Sequence, residues 1–314
     1  MVAMYWRRFN ASLIISLVTL LVGCDVPRPT IKIALVAPFE GRLREVGYDA
    51  FPAMRLAIRQ QIEAGGIGNY EVTFVAYNDN ADPTMARRVA SDVVIDQSVL
   101  AVIGNFRTDT TRAAQPVYSA ANLALVVPSI PADQVPEGPL VFRLGPSLAV
   151  QEAKLASSQC ISRSASRHST TDQAYIGRIT TATLSLLSDF QSSAAPGLFG
   201  TSLAGLCFAA SSPYPRDLPA SAQPLSGYSQ VSGGPLPAPG SISAYDATRL
   251  VLAAIRADIT THGKPSRAGV AEALRHITFD GLLGQVSFNA EGEWTDAPVW
   301  LYQYDSKLVA HLIR

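Results

Sequence analysis

Ile31-Lys32-Ile33-Ala34-Leu35-Val36-Ala37-Pro38 is a short apolar run stopped by proline, the pattern of a strand buried on both faces. A loop with Gly41 and Gly47 follows. Phe51, Met54, Ile58 and Ile62 then recur at helical spacing, and Gly65-Gly66 closes that helix. Residues 70–77 alternate as a second strand. Asp82-Pro83 marks a helix start, with an acid to cap it and proline at the first helical position. Ala86, Val89, Ala90, Val93 and Val94 supply its buried face. Residues 99–103 read as a third strand ended by Gly104, and residues 123–127 as a fourth ended by Pro128. A helix rich in small residues spans about 111–121 between them. Repeated strand–helix units of this length predict an α/β fold, a parallel sheet covered by helices. Ligands then bind at the carboxyl ends of the strands.

The chain before this block carries its own signal. Arg7 and Arg8 precede an apolar run over residues 11–22, too short to span a bilayer comfortably. The run ends in Leu21-Val22-Gly23-Cys24, which resembles the lipobox of bacterial lipoproteins, where the cysteine thiol is acylated. The expectation is a lipoprotein signal peptide over 1–23, a tether over 24–30 and an exported protein anchored through Cys24. An uncleaved anchor helix is the alternative.

Composition excludes several functions. Lys+Arg and Asp+Glu balance at 25 each, so no basic field awaits nucleic acid. Four scattered histidines (His168, His262, His276, His311) show no metal-ligand spacing, and no metal or cofactor is expected. His276 and His311 read as surface or capping groups. Gly200-Thr-Ser-Leu-Ala-Gly205 has the wrong spacing for a nucleophile elbow, no phosphate loop is present, and the expectation is not an enzyme. Cys160 and Cys207 could pair in an exported chain, although nothing in their spacing requires it, and reduced thiols are the expectation.

In order and spacing, Ala37-Pro38 with Gly41 and Gly47, Ala64-Gly65-Gly66-Ile67, Asn78-Asp79, Ala81-Asp82-Pro83, Val102-Ile103-Gly104, Pro128-Ser129 and Val141-Phe142-Arg143 resemble the first lobe of type I periplasmic binding proteins. The resemblance is specifically to the branched-chain amino acid-binding group that serves ABC importers. Tyr245-Asp246-Ala247-Thr248-Arg249 and Phe279-Asp280-Gly281-Leu282-Leu283-Gly284 resemble that family's late helix and crossover. The resemblance implies two lobes closing on a small amino acid-like ligand, an ABC permease with its ATPase as partner, and a monomer. Lobe 1 would comprise 31–143 and 240–285, and lobe 2 144–239 and 286–314. By position, Thr108 matches a hydroxyl that holds the ligand carboxylate, and Ser129 opens the turn that completes the site. Val46 matches the first loop's contact with the ligand side chain. The family's second hydroxyl falls at Pro131, which has neither hydroxyl nor amide hydrogen.

Plainer readings stand beside these. Thr108, Thr110 and Thr111 could cap a helix, and Arg107 and Asp109 could pair on the rim rather than meet a ligand. Phe106 is core or cleft wall.

From Leu155 to Gly263 there is no lysine or glutamate, and residues 157–195 show little periodicity. A shortened, irregular second lobe is expected there, and a sensor-type or degenerate binding module is the alternative function. Within it, Asp172-Gln173-Ala174-Tyr175-Ile176-Gly177 resembles a family turn whose tyrosine covers the ligand, making Tyr175 a candidate. Beyond it, residues 203–211 suit a strand, 244–257 and 269–276 helices, and 286–289 and 299–304 strands separated by a Glu291-Gly292-Glu293 turn.

Overall fold

The computed structural model describes residues 28–158, 204–234 and 237–313. Cys24, Cys160, Tyr175 and the rest of residues 159–203 lie outside the described residues.

Five strands build the first sheet: β1 (Thr30–Ala37), β2 (Glu71–Asn78), β3 (Val99–Gly104), β4 (Ala124–Pro131) and β5 (Val141–Gly145). Their order is β2-β1-β3-β4-β5, and every pairing is parallel. Helices α1 (Arg44–Glu63), α2 (Pro83–Ile95) and α3 (Thr108–Ala120) connect the first four strands, as the expected strand–helix alternation requires. Asp82 caps α2 by accepting a hydrogen bond from the Met85 N–H at 2.7 Å, with Pro83 at the first helical position.

The strands separate two cores by simple alternation. On β1, Ile31, Ile33, Leu35 and Ala37 face one core and Ala34 and Val36 the other. Val99 and Val102 break that rhythm on β3, because the β1–β3 register shifts between Lys32 and Ile33 and passes over Leu100. One core lies under α2 and α3. The other lies under α1 and two late helices, α6 and α7, described below.

After β5 the chain forms α4 (Leu148–Ala156) and, beyond the undescribed stretch, β6 (Cys207–Ala210) and the short helix α5 (Tyr228–Ser232). Helices α6 (Pro239–His262) and α7 (Arg267–His276) then return to the first sheet. A small hairpin, β7 (Phe279–Asp280) and β8 (Gln285–Val286), precedes β9 (Trp300–Tyr304) and β10 (Ala310–Leu312).

Unlike the first sheet, the second has its described strands, β10-β9-β6, paired antiparallel. Residues 305–309 are too few for a crossover between β9 and β10, so only a hairpin can join them. The strand expected over 286–289 shrinks to Gln285–Val286, because Asn289 turns back to hydrogen-bond Glu293 around Gly292. Cys207 is disulfide-bonded, which overturns the expectation of a reduced thiol there; its partner lies outside the described residues. His276 and His311 are exposed beside Glu272 and Asp305, as a surface role requires.

Candidate functional site

In a sheet of order 2-1-3-4-5 the chain reverses its direction of growth between β1 and β3. The loops leaving those strands diverge there and leave a crevice at their carboxyl ends. Residues 38–43 and the start of α1 form one wall. Residues 105–108 and the start of α3 form the other, with the end of β4 beside them.

Gly104 makes the second wall possible. Its φ is +140°, and a Cβ there would come within 2.2 Å of the Val36 carbonyl oxygen. Only glycine lets β3 end this close to β1 and turn upward. Gly47 does the same for the first wall, where a Cβ would lie 2.3 Å from the Pro38 carbonyl oxygen.

Thr108 is the first residue of α3, half-buried, and its hydroxyl has no hydrogen-bond partner among the described residues. Its neighbours are committed to the backbone. Thr110 Oγ1 lies 3.2 Å from the Arg107 carbonyl, and Thr111 Oγ1 lies 2.6 Å from the same carbonyl and 3.1 Å from that of Asn105. Of the three threonines, Thr108 alone keeps its hydroxyl for something else.

Ser129, on β4, is 6 % exposed, and its hydroxyl likewise has no partner among the described residues. Its carbonyl accepts a 3.4 Å hydrogen bond from Ser211, just beyond β6, and the Ser212 hydroxyl donates to the Pro239 carbonyl at 2.8 Å. The two sheets therefore meet at the crevice through the turn after β6.

Arg107 and Asp109 form a two-point ion pair, Nε to Oδ1 at 3.0 Å and Nη2 to Oδ2 at 2.8 Å, as the rim-pair reading has it. Burial raises the Asp109 pKa, but the hydrogen bond and charge of Arg107 outweigh it and leave the carboxyl below its usual range. Val46 and Phe106 are both buried in the core beneath the crevice.

Beneath the second wall lies a buried polar pair, one member of which, Asp79, falls in the Asn78-Asp79 motif. Asp79 and Asn105 are both fully buried, and Asp79 Oδ2 accepts a 2.9 Å hydrogen bond from Asn105 Nδ2. Burial pushes the Asp79 carboxyl up, against the opposing pull of Asn105 and the Ala81 N–H. The only signal in the sequence was Asn78-Asp79, an acid at a strand end.

A groove of about 1110 Å³ lies elsewhere, between the carboxyl end of α1 and α6, lined by Gln60, Tyr245, Arg249 and Arg256 among others. A helix as long as α1 spans about 30 Å, so its carboxyl end is remote from the crevice.

The first sheet is doubly wound, with two hydroxyls at its switch point that bond to no other described residue, and the turn leaving β6 touches it there. The chain belongs to the Periplasmic binding protein family, whose profile matches residues 30–158 and 177–308. It is 33 % identical over 106 residues to the leucine-, isoleucine-, valine-, threonine- and alanine-binding protein of Pseudomonas aeruginosa PAO1, covering 34 % of this chain and 28 % of that one. Over 122 residues it is 29 % identical to the leucine-specific-binding protein of Salmonella typhimurium LT2, covering 39 % of this chain and 33 % of that one. The chain thus spans about a third of the length of the curated relatives it matches.

Solved structures of similar fold include the leucine-binding protein LivK of Thermotoga maritima MSB8 (TM-score 0.68, 18 % identity, covering 90 % of this chain and 98 % of that one). The branched-chain amino acid transporter substrate-binding protein LivJ of Streptococcus pneumoniae, solved with isoleucine, aligns at TM-score 0.66 and 17 % identity, covering 90 % and 99 %.

Proposed function

We propose that this protein is an extracytoplasmic solute-binding lipoprotein that captures a small amino acid-like molecule and delivers it to an ABC permease and its ATPase. Acylation at Cys24 would hold it to the membrane; among the described residues no helix is long and apolar enough to cross one. The observation that carries the reading is the pair of uncommitted hydroxyls, Thr108 at the start of α3 and Ser129 near the end of β4, beside the switch point. At the start of α3 a ligand carboxylate also meets the positive end of the helix dipole. Arg107 and Asp109 stand at the rim, and Tyr175 is proposed to close from the second lobe. The names of the curated relatives support a branched-chain amino acid as the ligand, and an amide or similar molecule is the further candidate. The reading involves no catalytic step.

A thermal melt of the lipid-free protein against a panel of amino acids, their amides and short peptides tests this. Binding to the folded state alone adds about 2.7 kcal/mol at a hundredfold excess over Kd. The expected result is a raised midpoint with leucine, isoleucine or valine. A cooperative melt that no member of the panel moves would overturn the amino acid reading.

A further inference from the structure

Asp79 sits where three strand ends meet. Its own N–H donates to the Ala37 carbonyl at the end of β1 (3.2 Å), and its Oδ1 accepts from the Ala81 N–H at 3.0 Å. Asn80 and Ala81 both have positive φ, 52° and 53°, a left-handed conformation that costs roughly 1–2 kcal/mol for a residue with a Cβ. Asp79 holds that turn with one oxygen and reaches Asn105, at the end of β3, with the other. The Asn105 carbonyl in turn faces the Thr111 hydroxyl, which also meets the Arg107 carbonyl. The chain of contacts runs from a fully buried carboxylate to the backbone that presents Thr108.

We propose that Asp79 is a positioning residue for the ligand site: through its hydrogen bond to Asn105 it fixes residues 105–108 and so aims the Thr108 hydroxyl into the crevice. The inference rests on the reading of Thr108 as a ligand contact. The plainer role for Asp79 is to hold the strained turn at Asn80 and Ala81 and nothing more. Asn105→Ala separates the two roles, because it cuts the link to the loop and leaves the bond to Ala81 in place. Asp79→Asn is the conservative variant. Asn105 Oδ1 has no partner among the described residues, so a rotated Asn105 amide can accept from the new Nδ2.

The experiment pairs amide hydrogen exchange over residues 105–111 with leucine titration of the full-length protein. For Asn105→Ala the expected result is at least tenfold faster exchange in that segment and at least tenfold weaker leucine binding. Exchange in α7 should stay unchanged, and Asp79→Asn should remain within threefold of wild type in both measurements. Wild-type exchange in Asn105→Ala would overturn the inference. If Asn105→Ala does not melt cooperatively, the double variant Asp79→Asn/Asn105→Ala removes the buried carboxyl with its partner and carries the same readouts. Absence of leucine binding by the wild type would count against the proposed function alone, since the exchange comparison needs no ligand.

Discussion

Thr108 and Ser129 are the residues whose loss should cost the protein its ligand and little else. Neither hydroxyl bonds to another described residue, so Thr108→Ala and Ser129→Ala leave the unfolding midpoint near wild type. A hydrogen bond to a charged group contributes about 1.5–3 kcal/mol, and each variant should weaken leucine binding roughly tenfold or more by calorimetric titration. A second residue-scale prediction concerns acid. Asp96 accepts from Lys32 Nζ at 2.7 Å, and that bond, with help from Ser98, lowers its carboxyl to about 2. A folded-state pKa below the unfolded value stabilises above about pH 4, and the contribution fades as pH falls through about 2. The pair is about a third exposed, so solvent screening leaves it about 1 kcal/mol. Asp96→Asn should be less stable than wild type by that amount at neutral pH in denaturant titrations, with the difference vanishing toward pH 2. The Asp82 cap was legible in the sequence, because an acid before proline at a helix start is a local pattern. The link from Asp79 to Asn105 was not, because its two ends come from different strands.

At the scale of elements, Gly104 is among the most constrained glycines described. A methyl group there must displace backbone rather than a side chain, in a conformation other residues rarely adopt. Gly104→Ala should cost about 3 kcal/mol or more in denaturant unfolding, and the surviving folded fraction should bind leucine poorly because the second wall shifts. Strands β1 to β3 were legible because apolar runs punctuated by glycine and proline suit a strand covered on both faces, whereas β4 runs on through Pro128, the expected stop, and ends at Pro131. Strand β5 was quoted only for its resemblance; Pro136, Gly138 and Pro139 precede it, and its run is short. The direction of the second sheet was hidden for another reason. Residues 299–304 announce a strand, but only the short turn to β10 and pairing with β6 make it antiparallel.

For the whole molecule, Arg143 ties the last strand of the first sheet to the turn around Gly292. It is 1 % exposed, and its guanidinium donates to the Ala132 carbonyl at 3.1 Å and the Glu291 carbonyl at 2.6 Å, with Glu293 at 3.5 Å. Its backbone N–H meets the Gly292 carbonyl, and its carbonyl meets the Trp294 N–H. Arg143→Met should strand those carbonyls and lower stability by about 3 kcal/mol, read as an earlier denaturant midpoint. No local pattern foretold this, since the partners lie almost half the chain away. The same arrangement governs how the molecule can be built as it emerges from the ribosome. By the time β5 has been made, α2 and α3 can cover one face of the first sheet. The opposite face has only α1; α6, α7 and the segment ending at Trp294 arrive much later. A nascent chain ending near residue 158 is therefore a half-roofed sheet with greasy strands open to any neighbour, the kind of species that clumps unless a chaperone shelters it.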